Sequence, residues 1–105
     1  MTARTLTYSP AARRDLSTIL SVIAENAGPR VAARWRRAFA ERTDALIRQP
    51  HLGATDEDLG PGRRRLVVSP YLVVYELTTP NEIAVLRVVH GARDLPALFE
   101  NSTRD

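Results

Sequence analysis

Apolar positions change their spacing once along this chain, from a helical period in the first half to a run of β-formers in the second. Between Leu66 and Val89 nearly every residue outside a turn is Val, Ile, Leu, Tyr or Ala, the composition of a pleated surface with both faces partly covered. Thr79-Pro80-Asn81 interrupts the run. Proline cannot donate to a ladder and asparagine tolerates turn dihedrals, so Tyr71–Thr78 and Ile83–His90 are predicted to form a hairpin. Arg65–Ser69 is a shorter β-rich stretch, turned into Tyr71 by Ser69-Pro70, because the residue before a proline is kept out of the helical region. The expectation is a three-stranded antiparallel meander.

In the first half, Thr5-Leu6-Thr7-Tyr8 alternates and is read as an edge strand joining that sheet. Ser9-Pro10 then opens a helix, serine as the cap and proline at the first helical position, where its missing N–H is not needed. Ala12, Leu16, Ile19, Leu20 and Ile23 form one stripe on a helix running to about Ala27. Gly28 ends it and Pro29 starts a second helix reaching about Gln49. The second stripe is Val31, Trp35, Ala38, Phe39, Ala45 and Leu46, with Arg42 inside the pattern. So short a connection makes the two an antiparallel hairpin. The predicted class is α+β, with the helical hairpin packed on one face of a small sheet.

Alternation along the last predicted strand puts Ile83, Val85, Arg87 and Val89 on one side and Ala84, Leu86, Val88 and His90 on the other. Arg87 stands out in this greasy row. An unpaired buried charge costs several kcal/mol or so, so its guanidinium must reach water, a carboxylate or a phosphate. A salt bridge is the plain expectation and recognition of a partner the functional one.

With 105 residues the chain fits a single domain, with 99–105 expected as a frayed tail. It has no cysteine, which excludes a disulfide framework and a thiolate metal site and fits a cytoplasmic location. The N-terminus lacks the apolar core of a secretion signal, and no stretch approaches the roughly 20 apolar residues of a membrane span. All 15 basic side chains are arginine and the net charge is +3. Arginine pairs bidentately with carboxylate or phosphate and keeps its proton, so it cannot act as a general base. Arg30, Arg34, Arg36, Arg37, Arg42 and Arg48 make the second helix strongly basic. The expectation there is a solvated face with pairs such as Arg37 and Glu41, or else a docking surface. His51 to Pro61 is predicted to be a loop. Its Asp56-Glu57-Asp58 lacks calcium-loop spacing, so no metal and no cofactor is assigned.

Strand, helical hairpin and meander, in that order and with Tyr8-Ser9-Pro10-Ala11-Ala12 at the start, resemble the RelE/ParE superfamily of bacterial toxins. Three further segments carry the likeness: Gln49-Pro50-His51-Leu52-Gly53, Arg64-Arg65-Leu66 leading to Tyr71-Leu72-Val73-Val74-Tyr75, and Val85-Leu86-Arg87 through Val89-His90-Gly91 to Arg93-Asp94. The resemblance implies a type II toxin–antitoxin module, in which a cognate antitoxin wraps a helix and an extended segment around the toxin as a hetero-oligomer. Two activities compete within it. The RelE branch cuts mRNA on the ribosome, and ParE-like members inhibit DNA gyrase without being enzymes in the usual sense.

Metal-free RNA cleavage needs a base, an acid and cations for the phosphorane. Arg63, Arg64, Arg65 and Arg87 supply only cations, which leaves His51, His90, Glu57 or a tyrosine for proton transfer. If the chain is a nuclease, Arg65, Arg87 and His90 are its candidates. It departs from the nuclease pattern, however, in having no lysine and no tyrosine after Tyr75. A histidine–tyrosine pair would need Tyr where Gly91 stands, and Phe99 has no ionisable proton to offer. The closing His90-Gly91-Ala92-Arg93-Asp94 resembles ParE-like chains instead, which favours gyrase as the target. Arg64, Arg65, Arg87, Arg93, Leu95, Leu98 and Phe99 are the expected partner-binding residues. A non-toxic interaction domain of the same fold is the remaining alternative.

Overall fold

The computed structural model describes residues 3–91, 93 and 94. Its elements follow the order β1 (Thr5–Tyr8), α1 (Pro10–Ala27), α2 (Pro29–Arg48), β2 (Ala54–Thr55), β3 (Arg63–Val68), β4 (Tyr71–Thr79) and β5 (Glu82–His90), with a 3-10 turn at Glu57–Leu59. Ser9 caps α1 by accepting the Ala12 N–H on its hydroxyl, with Pro10 next in line. Gly28, at φ 94°, turns the chain between the helices, a dihedral that a side chain would disfavour.

The strands form one sheet in the order β1-β5-β4-β3-β2. β1 runs parallel to β5, and the other pairs are antiparallel. Phe39 and Leu46 of α2 and Ala12 of α1 meet Leu66 and Val68 of β3, Val73 and Tyr75 of β4, and Ile83, Val85 and Val88 of β5. Each fully buried Leu or Ile there contributes about 2 kcal/mol of transfer free energy. Trp35, Phe39 and Tyr71 cluster at one end of this core, Trp35 edge-on to Tyr71 at 5.3 Å.

The meander is present, but it is the centre of a sheet of five strands, because part of the predicted loop His51–Pro61 adds β2 to it. The expected face assignment of the last strand holds only to Val85. Val74 pairs with Arg87 and Tyr75 with Val85, so Leu86 is an extra residue and the two faces exchange beyond it. Val88, not Val89, therefore joins Ile83 and Val85 in the helix-covered core.

The stripe on α2 is also displaced. Arg42 is exposed and its neighbour Thr43 is buried, because the Thr43 hydroxyl donates to Phe39 O at 2.9 Å and so enters the core satisfied. Tyr8 Oη lies 2.6 Å from the same Thr43 oxygen; since that proton is committed to the helix, Tyr8 is the donor. The expected Arg37–Glu41 pair does not form: the salt bridges among the described residues are Arg65–Asp56, Arg87–Asp15 and Arg93–Asp94. No helix among them is long and apolar enough to cross a membrane.

Candidate functional site

The helices cover one face of the sheet. On the opposite face the register aligns Arg65 of β3, Val74 of β4 and Arg87 of β5. Arg65 and Arg87 are thus two strands apart in one cross-strand row, about 10 Å between their backbones. Val67, Leu72 and Val89 form the next row. The structure therefore sets two of the four candidate arginines in one row, beside an exposed Val67 and the buried Leu72, Val74 and Val89.

Neither guanidinium is free. Arg65 Nη1 lies 3.5 Å from Asp56 Oδ2, a carboxylate held at the entry to the 3-10 turn by accepting the Asp58 N–H. Arg87 makes a two-pronged pair with Asp15 of α1, Nε to Oδ2 at 2.7 Å and Nη2 to Oδ1 at 3.2 Å. The salt bridge expected for an arginine in an apolar strand is what forms. The Asp15 hydrogen bond raises the guanidinium pKa above its ordinary value, against the opposing effect of burial, so Arg87 carries its charge at every working pH.

Asp15 does more than pair. Its Oδ2 also accepts the Val88 N–H at 2.9 Å, while Ser9 N donates to Val85 O and Ser9 Oγ to Leu86 O. The first turns of α1 thus satisfy the β5 backbone at and beyond the bulge, where β1 has ended. Asp15 lies outside the apolar stripe of α1, and the sequence reading gave it no role. The signal was there, since an arginine in a buried strand demands a carboxylate.

The other candidates fall elsewhere. Arg64 faces the opposite way from Arg65 and braces the loop after α2, its Nε donating to Gly53 O at 2.9 Å and its Nη2 to His51 O at 3.2 Å. The buried Tyr75 hydroxyl closes the same loop, donating to Pro50 O at 2.8 Å and accepting the Gly53 N–H at 2.9 Å. Gly53 has to be glycine here, because a Cβ would lie 2.6 Å from Arg65 O and 2.7 Å from the Tyr75 ring.

His90 packs edge-on against Tyr71 at 5.8 Å. Its Nδ1 accepts the Arg93 N–H at 3.3 Å, which leaves Nε2 as the protonated nitrogen, and its backbone N–H donates to Asp94. Arg93 is exposed, with Nε 3.6 Å from Asp94 Oδ1. His51 and Glu57 are exposed as well. Leu95, Leu98 and Phe99 lie outside the described residues. Among those described, no three His, Cys, Asp or Glu side chains converge as metal ligands.

Comparison with known proteins places this geometry in a family. A family model described as the ParE toxin of the type II toxin–antitoxin system parDE matches residues 6–95. Toxin ParE3 of Caulobacter vibrioides is 30% identical over 89 residues, 85% of this chain and 88% of that protein. Toxin ParE1 of Mycobacterium tuberculosis is 28% identical over 87 residues, 83% of this chain and 89% of the relative. Among solved structures, a chain of the chromosomal ParDE toxin–antitoxin system of P. aeruginosa superposes with a TM-score of 0.72 at 23% identity, covering 84% of this chain and 96% of the other. One from the toxin–antitoxin complex RelBE2 of Mycobacterium tuberculosis gives 0.60 at 24% identity, covering 85% and 99%. The helical hairpin over a bulged sheet is thus the fold of these toxins, and the family match spans nearly all of the chain: it belongs to the ParE toxins of type II toxin–antitoxin systems.

Proposed function

We propose that this ParE-type chain acts by inhibiting DNA gyrase and is held inactive by a cognate antitoxin, and that it works as a binding protein rather than a nuclease. The observation that carries this reading is the state of its proton-transfer candidates. His90 uses Nδ1 on a backbone N–H and its ring on Tyr71, and the row that holds Arg65 and Arg87 is flanked by Val67, Leu72 and Val89. Cleavage of RNA without a metal needs an acid and a base within hydrogen-bond reach of the reacting oxygens. Arginine is prominent among binding hot spots, so two arginines in one cross-strand row suit recognition of a macromolecule better. In this reading Arg65, Arg87 and Arg93 contribute to toxicity more than any histidine, and the partners are gyrase and an antitoxin that makes a hetero-oligomer with the chain in the cytoplasm. The likeness to a chain of the ParDE toxin–antitoxin system and to one of the RelBE2 toxin–antitoxin complex supports the antitoxin.

The test is to express the chain with and without the product of its neighbouring reading frame, and to assay gyrase supercoiling and ribosome-dependent mRNA cleavage in parallel. Loss of supercoiling with message intact, relieved by the neighbour, is expected. Cleavage of message with gyrase untouched overturns the mechanism. His90→Ala separates the two further: the proposal expects toxicity retained, whereas acid–base chemistry expects a loss of orders of magnitude at unchanged stability.

A further inference from the structure

The arginines of this chain fall into two populations. Outside the helical hairpin every described arginine is tied to the chain itself: Arg4 to Ile47 O and Pro80 O, Arg63 to Leu59 O, Arg64 to the loop after α2, and Arg65, Arg87 and Arg93 to carboxylates. The hairpin is the reverse. Its eight arginines, Arg13 and Arg14 of α1 and six on α2, are all exposed. Among the described residues none of the eight has a carboxylate within 4.0 Å, and Arg42 alone makes a side-chain hydrogen bond, the long one to Val67 O.

Charge is divided in the same way. Pro10–Arg48 holds these eight arginines against Asp15, Glu25, Glu41 and Asp44, an excess of +4. The whole chain carries +3, so the remainder is −1. Asp15 is moreover committed to Arg87. The first half of α2 concentrates the excess: Arg30, Arg34, Arg36 and Arg37 fall in eight consecutive residues with no acid among them. Arg30, Arg34 and Arg37 share one line of the helix at spacings of four and three, where like charges repel. Arg36 stands nearer α1 and, with Ser17 and Ser21, lines a shallow cleft of about 390 Å³ between the helices.

Such a surface selects its partner by what it lacks. Protein interfaces are anchored by large apolar or aromatic side chains, and Val22 is the one large hydrophobic residue of the hairpin that is exposed. Single-stranded nucleic acid is held by stacking bases on aromatic side chains, and the aromatics of the hairpin, Trp35 and Phe39, are turned in against Tyr71. What remains is guanidinium and hydroxyl donors along a rigid rod roughly 30 Å long, which suits a regular row of phosphates.

We propose that the hairpin binds the backbone of duplex DNA without reading its sequence. Phosphates meet Arg30, Arg34, Arg36 and Arg37, and the cleft lets one of them approach the Ser17 and Ser21 hydroxyls. The choice of DNA over duplex RNA rests on the gyrase reading above; the backbone chemistry does not.

The probe is a short fluorescein-labelled DNA duplex of arbitrary sequence, titrated with the full chain and followed by anisotropy at several salt concentrations. With four phosphates neutralised, log K should fall against log salt with a slope of about −3.6, a loss on the order of a hundredfold between roughly 50 and 200 mM. Arg34→Gln and Arg37→Gln should each flatten that slope by about 0.9. Arg63→Gln removes the same charge from the face that the helices leave open and should leave the slope unchanged. All three side chains are exposed, so the circular dichroism spectrum should stay the same.

The inference is overturned if the duplex does not bind at low salt, or if Arg63→Gln acts as strongly as Arg34→Gln. Tighter binding of a single strand, an RNA duplex or polyglutamate than of the DNA overturns it too. A chain that binds the duplex yet leaves gyrase untouched loses the proposed function alone, and one that inhibits gyrase without touching bare duplex loses this inference alone.

Discussion

The two edges of the sheet are finished in opposite ways. At the β5 edge, where β1 stops after Tyr8, α1 takes over: Ser9 satisfies Val85 O and Leu86 O, and Asp15 accepts the Val88 N–H while holding Arg87. At the β3 edge β2 also stops early, yet among the described residues Leu66–Val68 has no such substitute beyond the long contact from Arg42. Both short strands leave backbone to be satisfied beyond their ends, and among the described residues only one end of the sheet is sealed by side chains. An edge that a fold seals is closed to pairing with other chains, and an edge it leaves bare beside a cationic helix is available to one.

The largest expected effect comes from dismantling the closure that β2 does provide. Tyr75→Phe removes a buried hydroxyl that serves Pro50 O and the Gly53 N–H at once, leaving both unsatisfied. A loss of about 3 kcal/mol in urea unfolding is expected, with faster hydrogen exchange across Gly53–Thr55. A loss under about 0.5 kcal/mol would show that Arg64 holds the loop unaided.

Next in size is the sealed edge itself. Asp15→Ala strips the acceptor from Val88 N and the partner from Arg87 together, for an expected cost of about 2 kcal/mol. Asp15→Asn keeps an oxygen for the Val88 N–H and should recover part of that cost. If the two variants unfold alike, the ion pair rather than the edge bond is what matters, and the contrast between the edges weakens.

Tyr8→Phe is smaller, about 1 kcal/mol, since it removes one hydrogen bond to Thr43. Burial raises the Tyr8 pKa above its ordinary value of 10.0. Above pH 10 the unfolded chain therefore releases the phenolic proton before the folded chain does, and stability falls as pH rises through that range. Tyr8→Phe should flatten this alkaline slope in unfolding curves measured against pH. An unchanged slope would assign it to another group.

The strands and helices were legible because each rests on a local signal: Ser9-Pro10 at a helix start, Gly28-Pro29 between helices, and Pro80-Asn81 in the hairpin. What escaped depends on long-range pairing. The bulge at Leu86 has no mark of its own in the sequence, because every residue from Ile83 to Val89 except Arg87 is apolar and suits either face. β2 was missed because two residues, Ala54 and Thr55, are too few for any period to show. Arg65 and Arg87 are two of the arginines that the sequence offers as partner-binding candidates. Their alignment through Val74 and the Asp56 and Asp15 carboxylates that hold them come from register and from a helix 72 positions away in the chain. Arg64 looked equivalent to Arg65 by composition, and the pleat alone separates a loop brace from a surface charge.

The smallest expected effect on the fold falls at the bare edge, and that makes it the sharpest check on the contrast. Val67→Lys changes a half-exposed side chain on a face the helices do not cover, so stability should move by less than about 0.5 kcal/mol in urea unfolding. A stability loss of several kcal/mol would instead mean that Val67 is packed beneath the chain's own residues, and the β3 edge would then be sealed like its counterpart at β5.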